Sequence, residues 1–146
     1  MKFPYTTLQN KKDPSLIFHR PLLDIRLVVG NKHQDVAALV DSGADKCIFH
    51  ADIGRILGVD IESGKPYEFE GVAAGKIEIG YIHRVHLIVK SLSGVDADVV
   101  FTDCAKVGAG LLGQDGFFQQ YTIRFELYKG FFDVAELNLP KSGIRH

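Results

Sequence analysis

The residues best suited to chemistry stand in the segment Asp41-Ser42-Gly43-Ala44. An uncharged apolar run, residues 36–40, leads directly into Asp41 and predicts a buried strand that ends at this carboxylate. Burying a lone carboxylate is costly unless something compensates it, so stability does not explain its position. We expect a carboxylate that is held by backbone donors and directed at a water molecule. Gly43 would permit another chain or a ligand to approach closely.

One such carboxylate is a poor catalyst, but two that share a site can act together. They cannot both ionise, so one keeps its proton and the pair supplies a base and an acid. The chain of 146 residues contains no second Asp-Ser-Gly or Asp-Thr-Gly. The second aspartate would therefore come from another copy of the same chain.

The apolar-apolar-Asp-Ser-Gly-Ala pattern resembles the active-site motif of aspartic proteases, in the retropepsin-like form with one motif per chain. The resemblance runs from Arg20 to Leu127, and a chain of this length fits half of a two-lobed enzyme. It implies an all-β fold, a retropepsin-like acid protease barrel with one or two short helices and a flap hairpin. It also implies a symmetric homodimer in which a two-fold axis brings both Asp41 residues together.

The mechanism implied by this resemblance is hydrolysis of a polypeptide without a cofactor or a covalent intermediate. The unprotonated Asp41 would take a proton from a bound water, and the protonated one would donate toward the scissile carbonyl oxygen. Ser42 would brace the two loops across the dimer. It is not expected to be a nucleophile, because no histidine is paired with it by motif. The substrate would lie extended between the Asp41 loops and the flap hairpins.

The predicted flap is a hairpin with a small, glycine-bracketed tip. Residues 67–70 and 76–80 alternate as strands do, and Gly71, Val72, Ala73, Ala74 and Gly75 lie between them. In retropepsin-like proteins, a hairpin at this position closes over the substrate and excludes water. The alternative is a plain surface hairpin.

Two further features of the family have counterparts here. Leu111, Leu112 and Gly113 resemble the segment that runs beside the strand bearing the aspartate, where the glycine lets two backbones cross closely. Arg20 would pair with Asp45 of the other chain, although both fit equally well as ordinary surface charges.

The chain departs from the family in two places. Gln114 stands where retroviral enzymes commonly have an arginine that helps to hold the acidic loop residue. The C-terminal hairpin extends beyond the end of the small viral enzymes, whose terminal strands build the dimer sheet. The dimer is therefore expected to use different contacts.

The remaining pattern predicts three parts of the chain. Residues 1–15 are expected to be a polar N-terminal arm with a short strand near Phe3, residues 16–137 the protease domain, and residues 138–146 a C-terminal tail. Within the domain we expect a strand hairpin over 23–41, a short helix within 48–58 that stops at Gly58, and a strand at 97–101. A short helix should follow Gly113, with Phe117 and Tyr121 facing the core. A hairpin over 121–137 completes the domain.

Composition excludes several functions. The net charge of −1, with both signs dispersed, gives no basic surface for nucleic acid or for an anionic membrane. No secretory signal or membrane-spanning run is visible, and Cys47 and Cys104 are expected to be reduced thiols in a cytoplasmic protein. His83 and His86 would point to opposite faces of a strand, so we expect no metal site there.

Three alternatives remain open. The chain could be a catalytically silent retropepsin-fold dimer that acts as a peptide-binding or scaffolding module, although such a copy would not need Asp41. It could also be a protease regulated by dimerisation and inactive when dilute. A metal hydrolase is a remote third, because no cluster of ligands is visible in the sequence.

Overall fold

The computed structural model describes residues 1–71, 75–104, 108 and 110–137 of the chain. It is 58% strand and 9% helix, which confirms the all-β prediction. The strands are β1 Lys2–Pro4, β2 Thr6–Gln9, β3 Ile17–Arg20, β4 Leu22–Val29, β5 Lys32–Val40, β6 Cys47–His50, β7 Lys65–Glu70, β8 Ile77–Val89, β9 Val95–Thr102, β10 Gly110–Leu112, β11 Tyr121–Glu126 and β12 Phe131–Glu136.

Six of these strands close into a barrel. They follow one another in the order β4-β5-β10-β6-β9-β8, and β8 pairs back onto β4 from Ile25↔Val89 to Val28↔His86. Strand β7 pairs antiparallel with the first part of β8, from Lys65↔Ile82 to Glu70↔Ile77, and forms with it the hairpin expected from the sequence. Closure leaves the barrel strands with no free edge along these pairings, so the backbone groups are bonded around the ring.

The barrel core follows from the alternation along its strands. Leu23, Ile25 and Leu27 of β4 point inward and are at most 2% exposed, while the residues between them face solvent. Phe49 of β6 and Phe101 of β9 are fully buried, with their ring centroids 6.5 Å apart. Burying each side chain of this size stabilises the fold by about 1.5–3 kcal/mol.

A strand from late in the chain lies between two early ones. Strand β10 pairs in parallel with β5, with Leu111 opposite Leu39 and Leu112 opposite Val40, and antiparallel with β6. The segment of Leu111 and Leu112 therefore runs beside the strand that leads to Asp41, as the resemblance implied. This insertion brings residues from two distant parts of the sequence to one end of the barrel.

The only α-helix in the described residues is α1, Ala51–Ile56, shorter than the predicted span because β6 occupies the residues just before it. His50 caps it by accepting a hydrogen bond at Nδ1 from the N–H of Asp52. Gly58 ends it with a φ of +79° and donates to the Arg55 carbonyl, as predicted. The described residues also contain the 3₁₀ turns Ile61–Ser63 and Leu127–Lys129. No helix in the described ranges is long and apolar enough to cross a membrane.

The prediction of a short helix after Gly113 is wrong. Residues 114–120 form consecutive turns, in which Phe118 bonds back to Gly113 and Gln119 back to Gln114. Gly116 has a φ of +97°, which interrupts any helical run. Phe117 and Tyr121 nevertheless face the core, are at most 3% exposed, and have ring centroids 5.2 Å apart.

Residues 1–15, predicted as a polar arm, contain two strands, β1 and β2. A short strand, β1, occurs near Phe3 as expected, and it pairs antiparallel with β12, which in turn pairs with β11 in the predicted C-terminal hairpin. Strand β2 was not predicted; it pairs with β3 across the boundary drawn at residue 15. The polar side chains concealed this strand because it is exposed on both faces, so it has no apolar alternation. The predicted tail, residues 138–146, lies outside the described residues.

Candidate active site

The carboxylate of Asp41 stands where β5 ends and is partly buried. Its Oδ1 accepts a 2.9 Å hydrogen bond from the N–H of Gly43, two residues further on. A turn made of small residues permits this approach, since a Cβ on Gly43 would lie 3.2 Å from the same oxygen. In the described chain, no lysine, arginine or histidine forms an ion pair with this carboxylate. Asp41 is thus oriented by a backbone donor and is not neutralised by a cation.

Main-chain bonds hold the Asp41 loop to the segment that follows β10. Asp41 donates through its N–H to the carbonyl of Leu112 at 3.0 Å, and Gln114 donates to the carbonyl of Ala44 at 2.8 Å. Within the loop, the N–H of Ala44 donates to the carbonyl of Asp41 at 3.2 Å. Each side of the loop is therefore tied to the neighbouring segment.

Gly113 lies at the point where these two segments cross. A Cβ at this position would lie 2.4 Å from the carbonyl oxygen of Lys46 and 2.6 Å from that of Ala44. Both obstacles are backbone atoms, so a larger residue could not be accommodated by a change of rotamer. The close crossing implied by the resemblance is present at this glycine.

Gln114 also contacts the loop through its side chain. Its Nε2 donates a 2.6 Å hydrogen bond to the carbonyl of Ser42. Ser42 is an exposed residue. The sequence had suggested only a lost anchor at this position. The amide instead holds the residue next to Asp41, a contact that no local pattern could have indicated.

A second layer of contacts lies under the loop. Lys46 forms an ion pair with Asp115 at 2.5 Å, and the hydrogen bond to this carboxylate raises the pKa of the lysine. The thiol of Cys47 is fully buried; it accepts from the N–H of Gly113 and lies 3.4 Å from the carbonyl of Asp115. Burial raises the pKa of this thiol to about 11, so Cys47 is an uncharged structural group. Cys47 and Cys104 are both free.

An open cleft of about 340 Å³ lies between the Asp41 loop and the hairpin of β7 and β8. Its lining combines polar residues with aromatic and aliphatic ones. The lining residues are Asp41, Gly43, Ala44, Asp45, Lys46, Ile48, Tyr67, Phe69, Glu70, Gly71, Cys104 and Leu111. A mostly apolar cleft with a few convergent polar groups is typical of a ligand site.

The hairpin has a cleft face and a solvent face. Tyr67 and Phe69 alternate toward the cleft, are partly buried, and stack with ring centroids 6.2 Å apart. Ile77 and Ile79 lie on the opposite face and are at least half exposed. The tip closes through a bond from the N–H of Gly71 to the carbonyl of Lys76.

Two residues of the predicted flap tip, Gly71 and Gly75, lie within the described residues. Gly71 lines the cleft, and Gly75 donates through its N–H to Glu70 at 3.1 Å. Val72, Ala73 and Ala74 lie outside the described residues. The hairpin itself is confirmed, whereas its closure over a substrate stays a prediction.

Arg20 and Asp45 do not meet within one chain. Arg20 is exposed on β3, bonds the carbonyl of His19 at 3.2 Å and lies over the ring of Phe18. The carboxylate of Asp45 is exposed, and no ion pair or hydrogen bond engages it in the described ranges. Both charges are available for contacts between chains, and their pairing stays a prediction.

A cluster that the sequence reading missed lies at the start of α1. Ligand atoms of His50, Asp52 and Asp103 lie within 4.8 Å of one another. Arg55 already occupies this cluster, with bonds of 2.9 and 3.0 Å to Asp103 and 2.8 Å to Asp52. The arginine neutralises the acids and ties the helix to the end of β9, so the arrangement is explained without a metal.

His83 and His86 lie on β8 and point to opposite faces, as predicted. His83 is 2.7 Å from the carbonyl of Ile61, and His86 is 2.8 Å from the carboxylate of Asp96. Each therefore has its own hydrogen-bond partner.

Comparison with known proteins gives no independent assignment. Neither the models of known protein families nor the curated proteins contain a match to this chain.

Proposed function

We propose that the chain is an aspartic endopeptidase that works as a homodimer, with one Asp41 from each copy. The observation that carries the proposal is the position of the Asp41 carboxylate, oriented by Gly43 and lining a cleft beneath an aromatic hairpin. Strand β5 and one distant segment, residues 112–114, converge to hold the loop that carries this carboxylate. Such an arrangement is far more elaborate than a surface aspartate requires.

The chemistry rests on the second carboxylate. With one Asp41 ionised and the other protonated, the pair activates a water and polarises the scissile carbonyl in the same step. Ser42, whose carbonyl is held by Gln114, would direct its exposed hydroxyl toward the other loop. Arg20 and Asp45 would pair between the two chains.

The polypeptide would bind in an extended conformation. The cleft of one copy would accept one half of the substrate, and the hairpin would supply strand-like backbone contacts. Tyr67, Phe69, Ile48 and Leu111 give that half-cleft an apolar wall. Large apolar side chains are the expected occupants beside the scissile bond.

The first experiment compares wild type with Asp41→Asn on a mixed peptide library between roughly pH 3 and 8, the range over which a carboxylate pair changes protonation. Wild type should cleave and Asp41→Asn should not. Absence of cleavage by a folded wild-type dimer would favour the peptide-binding module. Equal cleavage by both would place the activity elsewhere.

A mixing experiment tests the need for two copies. Equal amounts of wild type and Asp41→Asn are mixed until their subunits have exchanged. With random pairing, about one quarter of the dimers then keep two intact carboxylates. Activity per total protein should fall to that fraction of the wild-type value. A fall to only one half would mean that each chain acts alone.

A further inference from the structure

The hairpin of β2 and β3 is a separate sheet, and its Thr7 and His19 line a cleft with Leu127 and Gly130. Seven of the eight strand residues of the hairpin are exposed. In the described ranges, neither strand pairs with any other strand or makes extensive contacts beyond the hairpin. An isolated two-stranded hairpin is marginally stable in water, so a further surface is expected to cover it.

One face of this hairpin is apolar. Leu8 lies directly opposite Phe18 in the register, and alternation places Leu16 on the same face. The three side chains are 43%, 37% and 48% exposed. Arg20, also on this face, lies over the Phe18 ring with its guanidinium carbon 5.2 Å from the centroid. An apolar centre with a polar border is the usual anatomy of a protein–protein interface.

This face begins beside the candidate active site. Strand β3 continues through Pro21 into β4, and the carbonyl of Pro21 accepts a 3.0 Å bond from the N–H of Val40. Val40 immediately precedes Asp41. The hairpin therefore joins the barrel at the end where Asp41 lies.

The strands near the two ends of the described chain are already paired with each other. Strand β1 pairs with β12, and β12 with β11, in a three-stranded sheet within one copy. This sheet forms within one copy, whereas no other strand of the described residues pairs with the β2–β3 hairpin. The contrast favours the hairpin over the terminal strands as a surface for association.

We propose that the face formed by Leu8, Leu16 and Phe18 docks a second copy of this chain and so positions the second Asp41. The inference rests on the proposed function, because it is the need for a second carboxylate that selects another copy as the occupant. The contact would be isologous, with the same face contributed by both copies.

The test compares two lysine substitutions on adjacent residues of β3. Phe18→Lys places a charge within the proposed interface, whereas Ile17→Lys places it on the opposite face, where the wild-type side chain is 56% exposed. Sedimentation equilibrium over a concentration series should show a dimer dissociation constant raised at least about tenfold by Phe18→Lys. Ile17→Lys should leave it within about twofold of wild type. Circular dichroism verifies folding, and Leu8→Lys replaces Phe18→Lys if that variant unfolds.

The outcomes separate this inference from the proposed function. A folded Phe18→Lys or Leu8→Lys protein that dimerises like wild type overturns the docking surface, even if Asp41-dependent cleavage persists. A wild type that stays monomeric at all concentrations also overturns it, as does a dimer weakened equally by Ile17→Lys. Weaker dimerisation of Phe18→Lys, with Ile17→Lys unchanged, supports the proposed docking surface whether or not the protein cleaves peptides. Capture of a different protein by this face, with wild-type dimerisation unaffected by Phe18→Lys, would assign it to that partner instead.

Discussion

The side-chain Nε2 of Gln114 donates a 2.6 Å hydrogen bond to the carbonyl of Ser42, which lies 72 residues earlier in the sequence. This contact fixes the residue next to Asp41 with a neutral amide, at the position where the chain departs from the arginine implied by the resemblance. The loop is therefore braced through its backbone, and both Asp45 and the Ser42 hydroxyl are left for other contacts.

Gln114→Ala should lower the free energy of unfolding by about 1 kcal/mol, the usual net contribution of one hydrogen bond. It should also lower kcat, with a smaller change in KM. Gln114→Arg should recover part of the loss, since a guanidinium can also donate to the Ser42 carbonyl. Urea unfolding and steady-state cleavage give the two readouts. Gln119→Ala is the control, because Gln119 is exposed in the same turn region and its side chain has no hydrogen bond in the described chain. An equal effect at both glutamines would contradict the bracing role.

Gly113→Ala should destabilise the fold by about 3 kcal/mol, because the new methyl group would meet two carbonyl oxygens that cannot rotate away. Gly30→Ala serves as the comparison. Gly30 has a φ of +59° but open space around it, so its cost is conformational only, about 1 kcal/mol. Chemical denaturation of the two variants measures the difference. If Gly113→Ala costs no more than Gly30→Ala, the backbone crossing is looser than described.

Phe69→Ala should lower kcat/KM for peptides with large apolar residues by about tenfold, which corresponds to about 1.4 kcal/mol of lost transition-state binding. Phe69 faces the cleft, whereas Ile79 lies on the outer face of the same hairpin. Ile79→Ala should therefore remain within about twofold of wild type. Steady-state kinetics on library-selected peptides provide the measurement. Matching losses at both positions would indicate an effect on hairpin stability and not on substrate contact.

The buried thiol of Cys47 should make the protein less stable in alkali. Burial raises the pKa of this thiol from 9.0 to about 11, so between these values the unfolded chain loses a proton that the folded chain keeps. The unfolded state then binds fewer protons, and the free energy of unfolding falls as pH rises through this window. The contribution is at most about 2–3 kcal/mol. Urea unfolding from pH 8 to 11 should show a steeper decline for wild type than for Cys47→Ala. Parallel declines would assign the alkaline loss to other groups.

Much of the candidate site could be predicted because its signals are local. The alternation on either side of the Gly71 tip and the helix stop at Gly58 depend on neighbouring residues, and both have the expected structure. The run before Asp41 forms the expected strand, but it is buried on one face only, because Ala37 is exposed. The pairing of Leu112 with Val40 was accessible only through the resemblance, because no local pattern reports which distant strands become neighbours.

The errors have physical reasons of two kinds. Strand β2 has no buried face, so the alternation that marks a strand is absent from Thr6–Gln9. The segment after Gly113 has helical spacing between Phe117 and Tyr121, but the bridge between Lys46 and Asp115 and the left-handed Gly116 impose turns. The bond from Gln114 to Ser42 joins an amide to a main-chain carbonyl, and either group could pair with many others.

The insertion of β10 between β5 and β6 has a consequence for the order of events during synthesis. The strand that frames the Asp41 loop is made long after the loop itself, and a contact of this kind forms slowly because a long stretch of chain must first be closed. A nascent chain that has exposed Asp41 but not yet Leu112 lacks the acceptor for the Asp41 N–H. The Asp41 loop thus lacks this main-chain contact until most of the domain has emerged. Under the proposed function, a chain with this topology would gain activity only when folding is nearly complete.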